Sequence, residues 1–474
     1  MKYIKYSFLT VFVFISSFSI FFDSNTGFLF NSKAASEDVV VIGTGYVGLI
    51  VGSSLANVGH SVTCVDIDED KIEKLKEGVM PIYEPGLKDI VYRNHLAKRL
   101  SFATDVLSAI KKSKVIMIAV GTPMGENGKA NLKALHSVAK NIGDVLKDSQ
   151  DYKIVCIKST VPVGTNKKIK SLIREYAGEN ANFDIVSNPE FLRAGAALKD
   201  LHERNPIVLG SDSERALSIM ADLYRPIVGE GTPLIKTNLP SAEMIKYAWN
   251  CLVAVKVSYV NDLSRFCNAC GADILQVIKA MGFEDIVLPF KNVRPGPGLG
   301  GSCLPKDTRA LVAMADKQGV DLAMVKAAIR SSHLQKEAAI EQLYDLLDGN
   351  VRGKTIGILG LSFKANTDDI RKSPAIPLIR RLLADGATIK AYDPQAVENM
   401  KMLFPEITYY GSKGQVISDS DALVILTAWE QFKNLDLKRV AKTMKQPVLV
   451  DARNMFDPGE LYRNGFRFAN FGRA

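Results

Sequence analysis

Repeated cysteine spacing, clustered histidine and long runs of one charge are all missing from this 474-residue chain. Its six cysteines (Cys64, Cys156, Cys251, Cys267, Cys270 and Cys303) share no period, which argues against a disulfide framework. Cys267 and Cys270 form a lone CxxC in a helical stretch. Without a second CxxC or a neighbouring histidine pair it does not read as a zinc site, and no metal is expected. The five histidines are isolated and none is given a role. Lys and Arg outnumber Asp and Glu by 60 to 51, a formal charge of +9, yet the cations are scattered and form no stripe interleaved with aromatics. A phosphate-bearing small substrate explains that surplus as well as nucleic acid would, and is the favoured reading.

The length predicts two or three domains, and 47% hydrophobic with 23% charged residues is ordinary for a globular enzyme. The first 35 residues stand apart. Lys2 and Lys5 precede the apolar run Ser7–Phe22, and the small residues Ser32-Lys33-Ala34-Ala35 follow. That layout fits a signal peptide, a short anchor, or a start codon assigned too early. At 16 residues the run is shorter than the about 20 a bilayer span needs.

Beyond this extension, continuous apolar strands alternate with helical periodicity. Val39–Ile42 leads into GTGYVG (Gly43–Gly48), Ser61–Val65 closes on Asp66, Lys114–Val120 ends at Gly121-Thr122-Pro123, and Lys153–Lys158 ends at Ser159-Thr160. Alternation of this kind predicts a doubly wound α/β domain. From Ser241 to Met281 the pattern becomes helical without strand punctuation, and near Gly353 the alternation returns. SDALVILTAW (Ser420–Trp429) echoes SKVIMIAVGTP (Ser113–Pro123), so the last domain reads as a reduced copy of the first. The expected class is α/β, with two Rossmann-like doubly wound domains joined by a central helical dimerisation segment. The expected boundaries are an N-terminal extension at 1–37, domains at 38–236 and 346–474, and the helical segment with the cysteine loop at 237–345.

Four stretches carry candidate chemistry. In GxGxxG, Gly43, Gly45 and Gly48 follow a strand and open a helix, with Asp66 eighteen residues beyond Gly48 at the end of the next strand. In that setting a pyrophosphate sits on the helix N-terminus and Asp66 accepts from ribose hydroxyls, favouring NAD over NADP. Lys246 and Asn250 stand four apart on a helix; they could face an oxyanion and a water together, although an isolated pair of this kind is ordinarily a solvated face. The loop Gly360–Pro374 (GLSFKANTDDIRKSP) offers Lys364 and Arg371 for phosphate or sugar, or equally for salt bridges. Finally, GPGLGGSCLPKD (Gly296–Asp307) sets Cys303 behind Gly298, Gly300 and Gly301, with Lys306 and Asp307 next. The glycines would let backbone pass close to a bulky ligand, and a lysine beside the thiol would favour thiolate; a tight turn and a structural cysteine would read the same.

With PIYEPGL (Pro81–Leu87), STVPVGT (Ser159–Thr165), NPEFLR (Asn188–Arg193) and EMIKYAWN between them, these motifs stand in the order of one family. The chain resembles the UDP-glucose/GDP-mannose dehydrogenases from about Asp38 to its C-terminus. The resemblance implies an NAD-dependent nucleotide-sugar 6-dehydrogenase with two hydride transfers. Between them, Cys303 would hold the sugar as a thiohemiacetal and then a thioester. It implies Lys246 as oxyanion stabiliser, Asn250 and Asp307 as groups that place water, and Thr160 and Glu190 near the reacting carbon. NAD would be held by Gly43, Gly45, Tyr46, Val47, Gly48, Asp66, Lys71, Thr122, Thr160, Lys306 and Arg371. The sugar nucleotide would be held by Glu190, Phe191, Leu192, Arg193, Lys246, Asn250, Arg294, Gly298, Gly300 and Lys364. It implies a homodimer or larger homo-oligomer in the cytoplasm, with membrane contact only through residues 7–22 if they are retained.

Two positions depart from the family pattern. Ala194 stands where a glutamate is usual, which would slow thioester hydrolysis or leave it to Glu190. Val287 replaces the arginine that UDP-glucose enzymes carry sixteen residues before the cysteine, whereas Arg294, nine before it, matches the RPG pattern of GDP-mannose enzymes. UDP-glucose is the favoured substrate, with GDP-mannose or another UDP-sugar as the alternative. A one-step hydroxyacid dehydrogenase and a non-catalytic nucleotide-sugar-binding protein are the rival classes.

Overall fold

The first strand, β1 (Asp38–Ile42), is buried along its last four residues. A strand apolar on both faces needs helices above and below it, and that forces a parallel, doubly covered sheet. The computed structural model describes residues 36–202, 205–228, 232–282 and 293–473. The expected anchor at residues 7–22 and Val287 therefore lie outside the described residues.

β1 is joined by β2 (Ser61–Val65), β3 (Leu100–Ala103), β4 (Val115–Ile118), β5 (Lys153–Ile157), β6 (Phe183–Ser187), β7 (Ile207–Gly210) and β8 (Leu234–Thr237). Their order is β3-β2-β1-β4-β5-β6-β7-β8. Every neighbouring pair is parallel except β6 and β7, which meet antiparallel at Ser187 and Gly210. The strand order reverses at β1/β4, and ligands of doubly wound sheets bind at that switch point, beyond the carboxyl ends. Val40, Ile116, Ile118 and Val155 on one face are fully buried, each contributing roughly 1.5–3 kcal/mol.

A second sheet is built from β9 (Thr355–Leu359), β10 (Thr388–Tyr392), β11 (Thr408–Tyr409), β12 (Ala422–Ile425), β13 (Val448–Asp451) and β14 (Arg467–Asn470). Its order, β11-β10-β9-β12-β13-β14, repeats the first six strands of the other sheet, all parallel. β12, inside SDALVILTAW, holds the place that β4 holds in SKVIMIAVGTP, so the echo heard in the sequence is topological. The repetition extends past the strands. Asp66 follows β2 and Asp393 follows β10, each returning to the glycine turn after its sheet's first strand: Asp66 accepts from the Thr44 N–H, and Asp393 from those of Leu361 and Ser362.

Between the sheets runs the 32-residue helix Leu239–Cys270. The Asn238 side chain caps it by accepting from the Ser241 N–H, Pro240 sits in its first turn, and Gly271 at φ 75° ends it. Helices Leu304–Lys317 and Ala323–Leu346 pack against it. Among the described residues no helix is long and apolar enough to cross a membrane.

Candidate active site

At the carboxyl end of β1 the three glycines divide their work. A Cβ on Gly43, whose φ is 102°, would lie 2.9 Å from the Ala119 carbonyl oxygen, and one on Gly48 would lie 1.9 Å from the Gly43 oxygen. These two allow the turn and the close helix packing. Around a Cβ on Gly45 nothing lies within 4 Å, and helix Tyr46–Asn57 has no side-chain cap. Its first N–H groups are left for a ligand anion. The Asp66 carboxylate accepts from the Thr44 N–H (2.9 Å), the Thr44 hydroxyl (2.7 Å) and the Lys71 ammonium (2.9 Å). Burial opposes its charge, but those hydrogen bonds outweigh burial and hold the carboxyl below its usual range. The arrangement fits a dinucleotide: donors for a pyrophosphate, then an ionised acceptor for ribose. On the other side of the switch point the Thr122 hydroxyl donates to the Thr160 carbonyl at 2.7 Å, joining those two loops.

Tyr46 does something else. Its hydroxyl donates to Glu84, and the Gly195 N–H donates to both the Tyr46 oxygen (3.0 Å) and the Glu84 carboxylate (2.6 Å). Glu84 also accepts from Ala197 N–H at 2.7 Å. Burial and the neighbouring Glu84 push the phenol far above its ordinary pKa. Its polar atom thus secures the turn after NPEFLR.

Helix Leu239–Cys270 buries Glu243, Lys246, Tyr247 and Asn250 on one face. The solvated face expected for an isolated Lys/Asn pair is therefore not what forms. Glu243 accepts from the N–H groups of Gly164 (2.5 Å) and Asn166 (2.7 Å) and from the Asn166 amide (2.7 Å), holding the loop that follows Thr160. The Lys246 ammonium meets the Glu190 carboxylate at 3.1 Å, and the second Glu190 oxygen accepts from the Leu192 N–H at 2.6 Å. One turn on, the Asn250 amide donates to Asp307 at 2.6 Å, and the Lys306 ammonium donates to the other Asp307 oxygen at 2.5 Å. Behind Glu190, the fully buried Lys158 bonds the Asn188 side-chain oxygen at 3.1 Å. Burial pushes its ammonium down to about 8.

Cys303 caps helix Leu304–Lys317, its carbonyl accepting from the Asp307 N–H at 2.8 Å. It keeps solvent contact, yet the surrounding protein raises its thiol pKa, first by burial and then through Glu190 and Asp307. Lys246 and the Ser302 hydroxyl pull the other way. Two expectations are corrected here. The neighbouring Lys306 is spent on Asp307, so the cation that acts on the thiol is Lys246, and the thiol is held protonated in the free site. The loop glycines, moreover, make room for protein. A Cβ on Gly300 or Gly301 would lie 2.9 Å from Phe363, and one on Gly298, at φ 82°, would lie 2.7 Å from the Ser332 carbonyl. The Gly301 N–H donates to the Arg371 carbonyl at 2.9 Å.

The loop Gly360–Pro374 thereby seats the cysteine loop. Lys364 and Arg371 both lie close enough to Cys303 to favour its thiolate when it forms, but Arg371 is forked onto Asp369 at 2.7 and 2.9 Å. The Arg193 guanidinium is likewise forked onto Asp200. Phe191 is buried against Trp249, ring centroids 5.0 Å apart, while Leu192 is half-buried. Val47 packs against the first core. Arg294 is exposed, and no described side chain pairs with it.

Residues 37–228, 240–333 and 357–458 match, in turn, the NAD binding, central and UDP binding domains of one family. The chain belongs to the UDP-glucose/GDP-mannose dehydrogenase family. It is 44% identical to UDP-glucose 6-dehydrogenase TuaD of Bacillus subtilis over 92% of this chain and 93% of that protein. It is 40% identical to the UDP-glucose 6-dehydrogenase of Rhizobium meliloti, over 92% of this chain and 99% of that one. Among solved structures, a UDP-glucose dehydrogenase from Pyrobaculum islandicum superposes with a TM-score of 0.85 at 32% identity, covering 94% of this chain and 99% of its own.

This family member is an NAD-dependent oxidoreductase whose first sheet carries the dinucleotide. Reading the sequence left Glu243 without a role, although it stands three residues before Lys246 on the same helix face. Glu84 lay inside PIYEPGL without an assigned task, and Lys158 gave no signal beyond its place before Ser159-Thr160.

Proposed function

We propose that this dehydrogenase oxidises the C6 alcohol of UDP-glucose to the uronate through a covalent Cys303 adduct. The observation that carries this is the convergence of Cys303, the buried Lys246–Glu190 pair and the Asn250–Asp307 pair. The match to the family's UDP binding domain and the UDP-glucose dehydrogenases among the relatives favour UDP-glucose over GDP-mannose.

Bound NAD supplies a hydride acceptor, used twice with an exchange of cofactor between. Lys246 holds the C6 oxygen as it becomes an alkoxide, with Glu190 available to take a proton. Cys303 is protonated at neutral pH, so its proton must leave as sulfur bonds the aldehyde carbon, and the carbonyl oxygen takes one up to give the thiohemiacetal. Loss of a second hydride from carbon, with the hydroxyl proton passing to Glu190, leaves a thioester. Asn250 and Asp307 place the water that cleaves it, releasing uronic acid and the thiol. With Ala194 in the turn held by Glu84, Glu190 joins Asp307 as a carboxylate for that cleavage. Thr122, Thr160, Lys71, Lys306 and Arg371 are assigned to the dinucleotide, and Lys364, Arg294, Phe191, Leu192 and Arg193 to the sugar nucleotide.

The domain limits 38–236, 237–345 and 346–474 belong to the same reading, as do a cytoplasmic location and a homodimer or larger homo-oligomer. The dimer is supported by Met244, Leu252, Val253 and Phe266, which expose apolar surface along helix Leu239–Cys270. Purified protein with NAD and UDP-glucose should give two NADH per uronate, and GDP-mannose much less. No NADH with any sugar nucleotide would overturn the proposal.

A further inference from the structure

Beside the cysteine loop, four nitrogen side chains crowd together. Arg309 lies on helix Leu304–Lys317, His333 and Lys336 on helix Ala323–Leu346, and Lys372 on the loop that precedes helix Ala375–Ala384. Arg309 donates to the His333 Nε2 at 2.9 Å, which makes His333 the neutral tautomer with Nδ1–H turned away from that contact. The Lys336 stem packs where a Cβ on Gly298 would stand, 2.9 Å from its Cγ, and the Lys372 carbonyl lies 3.3 Å from the same point on Gly300. The cluster is thus fixed in place by the glycine loop rather than spread over a free surface.

It is also uncompensated. Lys336, Lys372 and Arg309 have no carboxylate partner among the described residues. Burial, and then the neighbouring charges of Lys372 and Arg309, push the Lys336 ammonium down to about 8. His333 is lowered by burial, then Arg309, with Lys336 and Lys372 adding to it, and only Glu337 opposes them. Mutually repelling cations held together without counter-charge are costly to the fold unless an anion is brought to them. Their spacing over three chain segments suits an anion with several oxygens, and one guanidinium beside two ammoniums suits phosphate more than carboxylate.

We propose that Arg309, His333, Lys336 and Lys372 form a binding site for a diphosphate-bearing anion beside the loop that carries Cys303. The site does not depend on which sugar the enzyme oxidises. Because Gly298 of that loop rests on Lys336, an anion held there bears on the cysteine loop.

Calorimetric titration of the full chain with inorganic pyrophosphate tests it. Wild type should bind, Lys336→Met and Lys372→Met should each bind at least tenfold more weakly, and Lys364→Met, altered in the substrate loop, should bind as wild type does. ADP titrated in parallel separates the two sources: tighter binding than pyrophosphate assigns a nucleotide, equal binding the inorganic anion. The proposal fails if wild type does not bind, if either cluster variant keeps wild-type affinity, or if Lys364→Met is the variant that loses it. Lys372 is exposed, so its variant keeps the test open should Lys336→Met fold poorly.

Discussion

Glu190 and Lys246 face each other at 3.1 Å with side chains 8% and 5% exposed. A pair so deeply buried is poor evidence of stabilisation, because desolvation offsets attraction. Removing one member is another matter. Lys246→Met should cost about 3–5 kcal/mol, since Glu190 is then buried without its cation. It should also lower kcat by roughly 10²–10³ through loss of the group at the oxyanion. Thermal denaturation and NADH kinetics read the two effects separately. A variant with near-normal kcat would remove Lys246 from the mechanism.

The thiol of Cys303 lies above its ordinary value of 9.0, raised by burial and by Glu190 and Asp307. Its thiolate fraction at neutral pH is therefore smaller than that of an unperturbed thiol, and ionisation is displaced to higher pH. Alkylation of the free enzyme at Cys303 should be slow at pH 7 and still rising above pH 9. Glu190→Gln should speed it and Lys246→Met slow it further. Alkylation of Cys303 that levels off by pH 8 would contradict this account.

Cys303→Ala separates capture from oxidation. The variant should bind sugar nucleotide and NAD but release no uronate, whereas a one-step hydroxyacid dehydrogenase would keep its full rate. Product analysis by mass spectrometry decides between them.

Ala194 lies next to Gly195, whose backbone is held by Glu84 and Tyr46. If the missing carboxylate slows cleavage of the thioester, enzyme quenched in the steady state should carry sugar covalently on Cys303. Ala194→Glu should reduce that fraction and raise kcat several-fold. An adduct fraction indifferent to the substitution would assign rate limitation to another step.

Asp66 accepts four hydrogen bonds, one of them from Lys71. Asp66→Asn should weaken NAD binding by about 1–3 kcal/mol, the usual cost of breaking a charge-assisted contact, and narrow the preference over NADP. The ratio of kcat/KM for the two cofactors is the measurement. An unchanged ratio would mean the ribose is read elsewhere.

The parts legible in the sequence were those with a short period or a short span. Buried strands announce themselves as apolar runs, and GTGYVG with Asp66 needs only twenty-four consecutive residues to state its purpose. The strand order of the second sheet was foreshadowed by the likeness of Ser420–Trp429 to Ser113–Pro123. What stayed hidden required a partner far along the chain. Nothing in GPGLGG says that Gly300 and Gly301 yield to Phe363 rather than to a ligand, because the phenylalanine lies some sixty residues on. Lys306 stands beside the cysteine in sequence, but its ammonium goes to Asp307, and Lys246, on another helix, is the cation that reaches the thiol. Tyr46 sits inside the dinucleotide fingerprint, yet its hydroxyl is committed to Glu84.

Asp393 marks the point where the two sheets part company. Where Asp66 is still open to a ribose, Asp393 is 2% exposed and takes hydrogen bonds from Leu361, Ser362, Gln395, Ala396 and the Trp429 indole. Its lone pairs are spoken for. A nucleoside arriving at that edge meets a rivet where the first sheet offers a receptor, so the two halves are not interchangeable. Of the two matching aspartates, the one after β2 is left with room for a further donor, its side chain 12% exposed, and the one after β10 is closed.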